Sequence, residues 1–260
     1  MPRVTFRNPL DPDLGTSPDP ADVPFFQMDY SSGEDPDAGW TLGAFAPGGQ
    51  ATFSRTRVAT GGPSGQACYE LTQEANGGEY YWGWRGDVEA QAPTAGDTRF
   101  YRWRIKWSAD TNFEGLDGVG DPRMITNKIL ILGDSCGSSC RVILNYNGRL
   151  NQQAFFRIQI DGGDHYVDTG DVNVGVWLDV QAQVTTATTG SSANATYKIW
   201  VNNNVFASPD AVNSGFQLNP TLHHYVIFGG YNNDELAPGG VHSFRVTDFE
   251  VSETFDSAWH

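Results

Sequence analysis

The chain has 260 residues, a net charge of −15 and a sequence pI near 4.5, a balance that argues against a general nucleic-acid binder. Hydrophobic residues make up 39% and aromatics 13%, enough for a sizeable core, so global disorder is excluded. No apolar run reaches the roughly eighteen residues that a membrane-spanning helix needs.

In chain order, residues 1–24 carry six prolines and few apolar anchors. The expectation is an extended arm that lies on its own domain or on a neighbouring subunit. The first nine residues hold no apolar leader core. Two localisations follow: a protein assembled and used without export, or a secreted one whose leader has been removed.

From residue 25 onward the pattern is short alternating runs separated by turn residues. The expected strands are 25–30, 40–45, 51–58, 67–73, 79–85, 99–107, 124–132, 141–146, 154–160, 165–168, 176–185, 195–201, 222–229 and 241–252. Pro47-Gly48-Gly49, Gly61-Gly62-Pro63, Asn147-Gly148, Asp161-Gly162-Gly163 and Asn202-Asn203-Asn204 are read as turns. No amphipathic helix is evident. So many short strands predict an all-β fold, two packed antiparallel sheets in a jelly roll spanning residues 25–260.

The run Arg99-Phe100-Tyr101-Arg102-Trp103-Arg104-Ile105-Lys106-Trp107 has period two. As a strand it sends Tyr101, Trp103, Ile105 and Trp107 to one face, the expected inter-sheet core, and Phe100, Arg102, Arg104 and Lys106 to the other. The chain has only three lysines, so a basic face on an acidic protein needs an explanation. The same parity places Lys128, Arg157, Gln159, Asp179, Gln181, Gln183, Lys198 and Trp200 on polar strand faces. If those strands share one sheet, they form a cationic, amide-rich surface with an aromatic on it. Arg102, Arg104, Lys106, Lys128, Arg157, Gln159, Gln181, Lys198 and Trp200 are then candidate contacts for an acidic polysaccharide, whose rings stack on aromatics and whose carboxylates pair with cations. The competing reading is a solvated or subunit-contacting face whose long Arg and Lys stems simply cover the strands.

The second half carries further signatures: Gly175-Val176-Trp177-Leu178, Tyr197-Lys198-Ile199-Trp200-Val201-Asn202, Tyr225-Val226-Ile227-Phe228-Gly229-Gly230-Tyr231 and Phe244-Arg245-Val246-Thr247-Asp248-Phe249. Their order resembles the C-terminal half of concanavalin A-like lectin/glucanase domains. The resemblance implies the sandwich fold, and it implies at most one structural calcium, with Asp248 as its candidate ligand; no cofactor is required. The Glu-x-Asp-x-x-Glu strand of hydrolases with this fold is absent, so glycoside hydrolysis is disfavoured.

Two functions follow. The first is a non-enzymatic, lectin-like surface protein of an assembly such as a bacteriophage virion, a decoration or host-glycan-binding module held to neighbouring subunits by its arm. The alternative is a polysaccharide lyase acting on a uronate-containing glycan. In that case Arg157 and Gln159 neutralise the carboxylate, and His165 or Tyr166 takes the proton. Neither reading involves nucleic acid or a membrane. Cys136 and Cys140 enclose three residues, a spacing that a tight turn brings within bridging distance.

Overall fold

The computed structural model describes residues 26–27, 40–42, 52–74, 80–81, 84–86, 96–116, 122–132, 142–149, 153–160, 166–186, 188, 196–202, 204–207, 226–232, 235–236 and 240–256. The described residues form twenty strands, which include the expected ones in chain order and add short ones that were not expected. They begin with Phe26–Gln27 (β1), Trp40–Leu42 (β2), Thr52–Val58 (β3), Cys68–Glu74 (β4), Tyr80–Tyr81 (β5), Trp84–Gly86 (β6) and Thr98–Trp107 (β7). Next come Glu114–Leu116 (β8), Pro122–Met124 (β9), Thr126–Leu132 (β10), Val142–Arg149 (β11), Gln153–Ile160 (β12), Tyr166–Asp168 (β13) and Val172–Asn173 (β14). Leu178–Thr185 (β15), Thr196–Val201 (β16), Asn204–Ala207 (β17), Val226–Asn232 (β18), Glu235–Leu236 (β19) and Val241–Ser252 (β20) complete the set.

These strands make a two-sheet antiparallel β-sandwich. Sheet I runs β17-β16-β15-β7-β20-β4-β3, with β1 also on β20, and sheet II runs β13-β12-β11-β10-β18-β6-β2, with β14 on β12 and β5 on β18. A small third sheet, β19-β8-β9, was not foreseen from the sequence. Among the described residues the only helical element is a 3-10 turn, Pro63–Gly65.

Strand β7 lies at the centre of sheet I, between β15 and β20. Its aromatic parity points inward as expected: Tyr101, Trp103, Ile105 and Trp107 are all 0% exposed. The Trp107 ring bridges the two sheets, packing at 4.9 Å from Tyr146 and 5.7 Å from Phe156, while Tyr146 also meets Phe244 at 5.7 Å. Losing one such ring to alanine costs about 3–5 kcal/mol, through lost burial and the cavity left behind.

Two expected turns have different outcomes. Asn202 adopts the left-handed conformation (φ 46°) and its Oδ1 accepts the Asp179 N–H at 3.0 Å, closing the β16–β17 hairpin as predicted. Asn147-Gly148, by contrast, is no turn but lies inside β11. Gly148 is there because Phe113 packs directly on the strand: a Cβ at this position would stand 2.4 Å from the Phe113 Cβ. The proposed arm at 1–24, the Cys136–Cys140 pair and His165 lie outside the described residues.

Candidate functional site

Outward parity produces two very different surfaces. On sheet I four arginines are matched by carboxylates. Arg102 donates Nε to Gln181 Oε1 at 2.6 Å, Nη1 to Glu250 Oε1 at 2.7 Å and Nη2 to the Thr254 carbonyl. It is 2% exposed and Glu250 6%, because the chain beyond β20 folds back over them. Arg104 bridges Asp179 at 2.6 Å and Asp248 at 2.9 Å. Arg99 reaches Glu253 at 3.3 Å and Arg245 reaches Glu70 at 2.7 Å.

The bulge in β20 makes part of this matching. Thr247 to Glu250 spans three residues where the facing Arg104 to Arg102 spans two, and Asp248 takes a left-handed φ of 56°. Its carboxylate turns onto Arg104 and also accepts Gln66 Nε2 at 2.5 Å. The carboxylate of Asp248, the residue named above as a candidate calcium ligand, thus accepts from an arginine and an amide. Among the described residues no three His, Cys, Asp or Glu side chains gather in a set that could hold a metal ion.

The expectation of one cationic sheet is corrected. Arg102, Arg104, Lys106, Gln181, Lys198 and Trp200 lie on sheet I, whereas Lys128, Arg157 and Gln159 lie on sheet II. Alternation gives the face of each strand but not the sheet that it joins.

On sheet II the register aligns one row across six strands: Asp168 (β13), Arg157 (β12), Asn145 (β11), Lys128 (β10), Tyr231 (β18) and Tyr81 (β5). A second row runs Tyr166, Gln159, Ile143, Ile131, Ile227, Arg85 and Thr41. Two irregularities keep the first row in line. Lys128 to Leu130 spans two steps opposite one step of β11, and on β18 the facing Tyr231 to Phe228 spans three, with Gly229 and Gly230 opposite the single Ile129. Ile129 and Leu130 are both buried while Lys128 is half-buried, so the bulge leaves Lys128 on the outer side.

Arg157 has a partner that the sequence did not reveal. Its Nε and Nη2 donate to the two carboxylate oxygens of Asp168 at 2.6 and 2.7 Å, a bidentate pair fixed by the β12–β13 register. The guanidinium also lies 5.5 Å from the centre of the Phe155 ring. Asp168, Asn145 and Tyr231 were missed from the sequence. Tyr231 had a visible signal, since it closes the aromatic-Gly-Gly strand.

Beneath this row lies a polar cluster in an otherwise apolar core. Asn127, Tyr146 and Phe156 share the inward row next to Lys128 and Arg157. The Tyr146 hydroxyl meets His242 Nε2 at 2.5 Å, and His242 Nδ1 lies 3.1 Å from the Asn112 carbonyl. A carbonyl only accepts, so Nδ1 carries the proton and Nε2 accepts from the phenol. Burial lowers the His242 pKa to about 4, partly offset by the Asn112 carbonyl. Burial also pushes the Tyr146 phenol well above its ordinary range, against the opposing effect of Trp107 and Asn127.

No protein-family model matches the chain, nor does any curated protein sequence. Among solved structures it is similar to an endo-β-1,4-glucuronan lyase from the fungus Trichoderma reesei, with a TM-score of 0.61 and 17% identity over 89% of this chain and 96% of that one. It is also similar to the alginate lyase vAL-1 from Chlorella virus, with a TM-score of 0.51 and 10% identity over 89% of this chain and all of the other (100%). At these identities the likeness is one of fold, and it agrees with the two-sheet sandwich described above.

Proposed function

We propose that the protein is a polysaccharide lyase that cleaves an anionic, uronate-containing glycan by β-elimination on the outer face of sheet II. The observation that carries this reading is the row Arg157, Asn145, Lys128, Tyr231, with Gln159 and Tyr166 in the next row. It combines a cation, amides and phenols, the groups that the reaction uses.

In that reaction a base removes the proton at C5 of the uronate, the C–H electron pair forms the C4=C5 double bond, the C4–O bond breaks, and the departing oxygen takes up a proton. Neutralising the carboxylate makes the C5 proton more acidic, and prepositioned donors do this well. Arg157 has its fork engaged by Asp168, so in this reading Lys128 supplies the charge while Asn145 and Gln159 supply amide donors. In this reading Tyr231, in register with Lys128, and Tyr166, in register with Gln159, supply the phenols that move protons at C5 and at the leaving oxygen. The two similar structures, a glucuronan lyase and an alginate lyase, support the same choice. They favour it over the lectin-like virion reading.

The test is to incubate the protein with glucuronan, alginate and glycosaminoglycans and follow the ultraviolet absorbance of unsaturated uronate ends. A rising signal on at least one polymer is expected. Retention of a polymer without any such signal would favour the lectin-like reading instead.

A further inference from the structure

A second surface on the other side of the sandwich is built from residues that the sheet II chemistry does not use. Trp200 on β16, Phe100 on β7 and Phe255 just beyond β20 form an aromatic cluster, with ring centres 4.8 Å apart for Trp200–Phe255, 6.0 Å for Phe100–Phe255 and 6.4 Å for Phe100–Trp200. Phe100 is buried at its base, whereas Phe255 is 41% exposed and the neighbouring Val205 56%. An aromatic at a chain end has no local reason to hold still. This one is fixed on both sides: Arg102 and Ser252 Oγ donate to the Thr254 carbonyl, the Asp256 N–H donates to Gln181 Oε1 at 3.2 Å, and Glu253 pairs with Arg99. The ring is thus held in place with much of its face in water.

The charge beside the cluster differs from the rest of sheet I. Arg99, Arg102, Arg104 and Arg245 all pair with carboxylates. Lys198, two residues before Trp200 and on the same side of β16, makes no ion pair among the described residues, and it lies opposite Gln183. A fixed aromatic shelf with an available ammonium and a nearby amide suits a sugar ring that bears a carboxylate.

We propose that the Trp200–Phe255 shelf, with Lys198, is a second binding surface for uronate polysaccharide, separate from the catalytic row and on the opposite sheet. It rests on the lyase reading only for the class of sugar. Its role is to hold a polymer chain near the enzyme, so it acts on long substrates and not on short ones.

Affinity electrophoresis through gels containing glucuronan, alginate or a neutral β-glucan tests this, in a Lys128→Ala background that suppresses turnover. The expected result is retardation by a uronan and not by the neutral glucan, reduced several-fold by Trp200→Ala, Phe255→Ala or Lys198→Glu. With Lys128 restored, Phe255→Ala should raise the apparent KM on polymer several-fold and leave kcat on a tetrasaccharide unchanged. Far-UV circular dichroism checks that each variant is folded. Unchanged retardation in all three shelf variants overturns the proposal, as does a parent protein that no uronan retards. Equal retention by the neutral glucan overturns the uronate assignment. A dimer in sedimentation that Phe255→Ala dissociates overturns it in favour of a contact between copies. Retardation that depends on the shelf in a protein without lyase activity would sink the catalytic reading alone.

Discussion

The outer faces of the two sheets both carry arginine and lysine at alternate positions, and on both faces carboxylates of neighbouring strands hold the arginines. On sheet I, Arg102 and Arg104 are locked to Glu250, Asp179 and Asp248, with Arg102 almost wholly buried beneath the chain that follows β20. On sheet II, Arg157 is held by Asp168, while Lys128 stands in register with Asn145 on one side and Tyr231 on the other. Basic residues on a strand therefore do not by themselves mark an anion site.

Substitutions on the two faces should separate activity from stability. Tyr231→Phe on sheet II is expected to lower kcat by about a hundred- to ten-thousand-fold, the usual range for a positioned proton-transfer group, with the urea midpoint unchanged. Arg102→Ala on sheet I should do the reverse. Leaving Glu250 buried without its partner costs about 3–5 kcal/mol in urea unfolding, while kcat of the folded fraction is retained.

The layer between the faces gives a pH dependence of its own. His242 has a folded-state pKa lowered from 6.5 to about 4, so between these values the unfolded chain binds the proton first. Stability is complete above pH 6.5 and is lost as the pH falls toward 4, by up to about 3 kcal/mol. His242→Gln should flatten that slope, which unfolding midpoints measured across the range will show. The smallest effect is expected for Glu70→Gln. Its partner Arg245 and the carboxylate are each about a third exposed, so solvent screening holds the loss below about 1 kcal/mol.

The fold was largely legible in the sequence because alternation is a local signal. Tyr101, Trp103, Ile105 and Trp107 could be assigned to the core from nine residues alone. The site was legible only in pieces. Parity identified Lys128, Arg157 and Gln159 as outward but grouped them with Arg102 and Arg104, since sheet membership depends on pairing between distant segments. The acids that neutralise Arg102 and Arg104 lie 148, 75 and 144 residues away in sequence. No local pattern announces such partners. Asn147-Gly148 misled for a related reason: a sequence that favours a turn was held in a strand by Phe113 packing against it.

The most direct test compares one lysine from each face, Lys128→Ala on sheet II and Lys106→Ala on sheet I, for release of unsaturated uronate from whichever polymer the wild-type protein cleaves. The account predicts that Lys128→Ala loses at least about a hundredfold in kcat/KM while Lys106→Ala stays near wild type. Retained activity in Lys128→Ala, or its loss in Lys106→Ala with the fold intact, would contradict the assignment of the chemistry to sheet II.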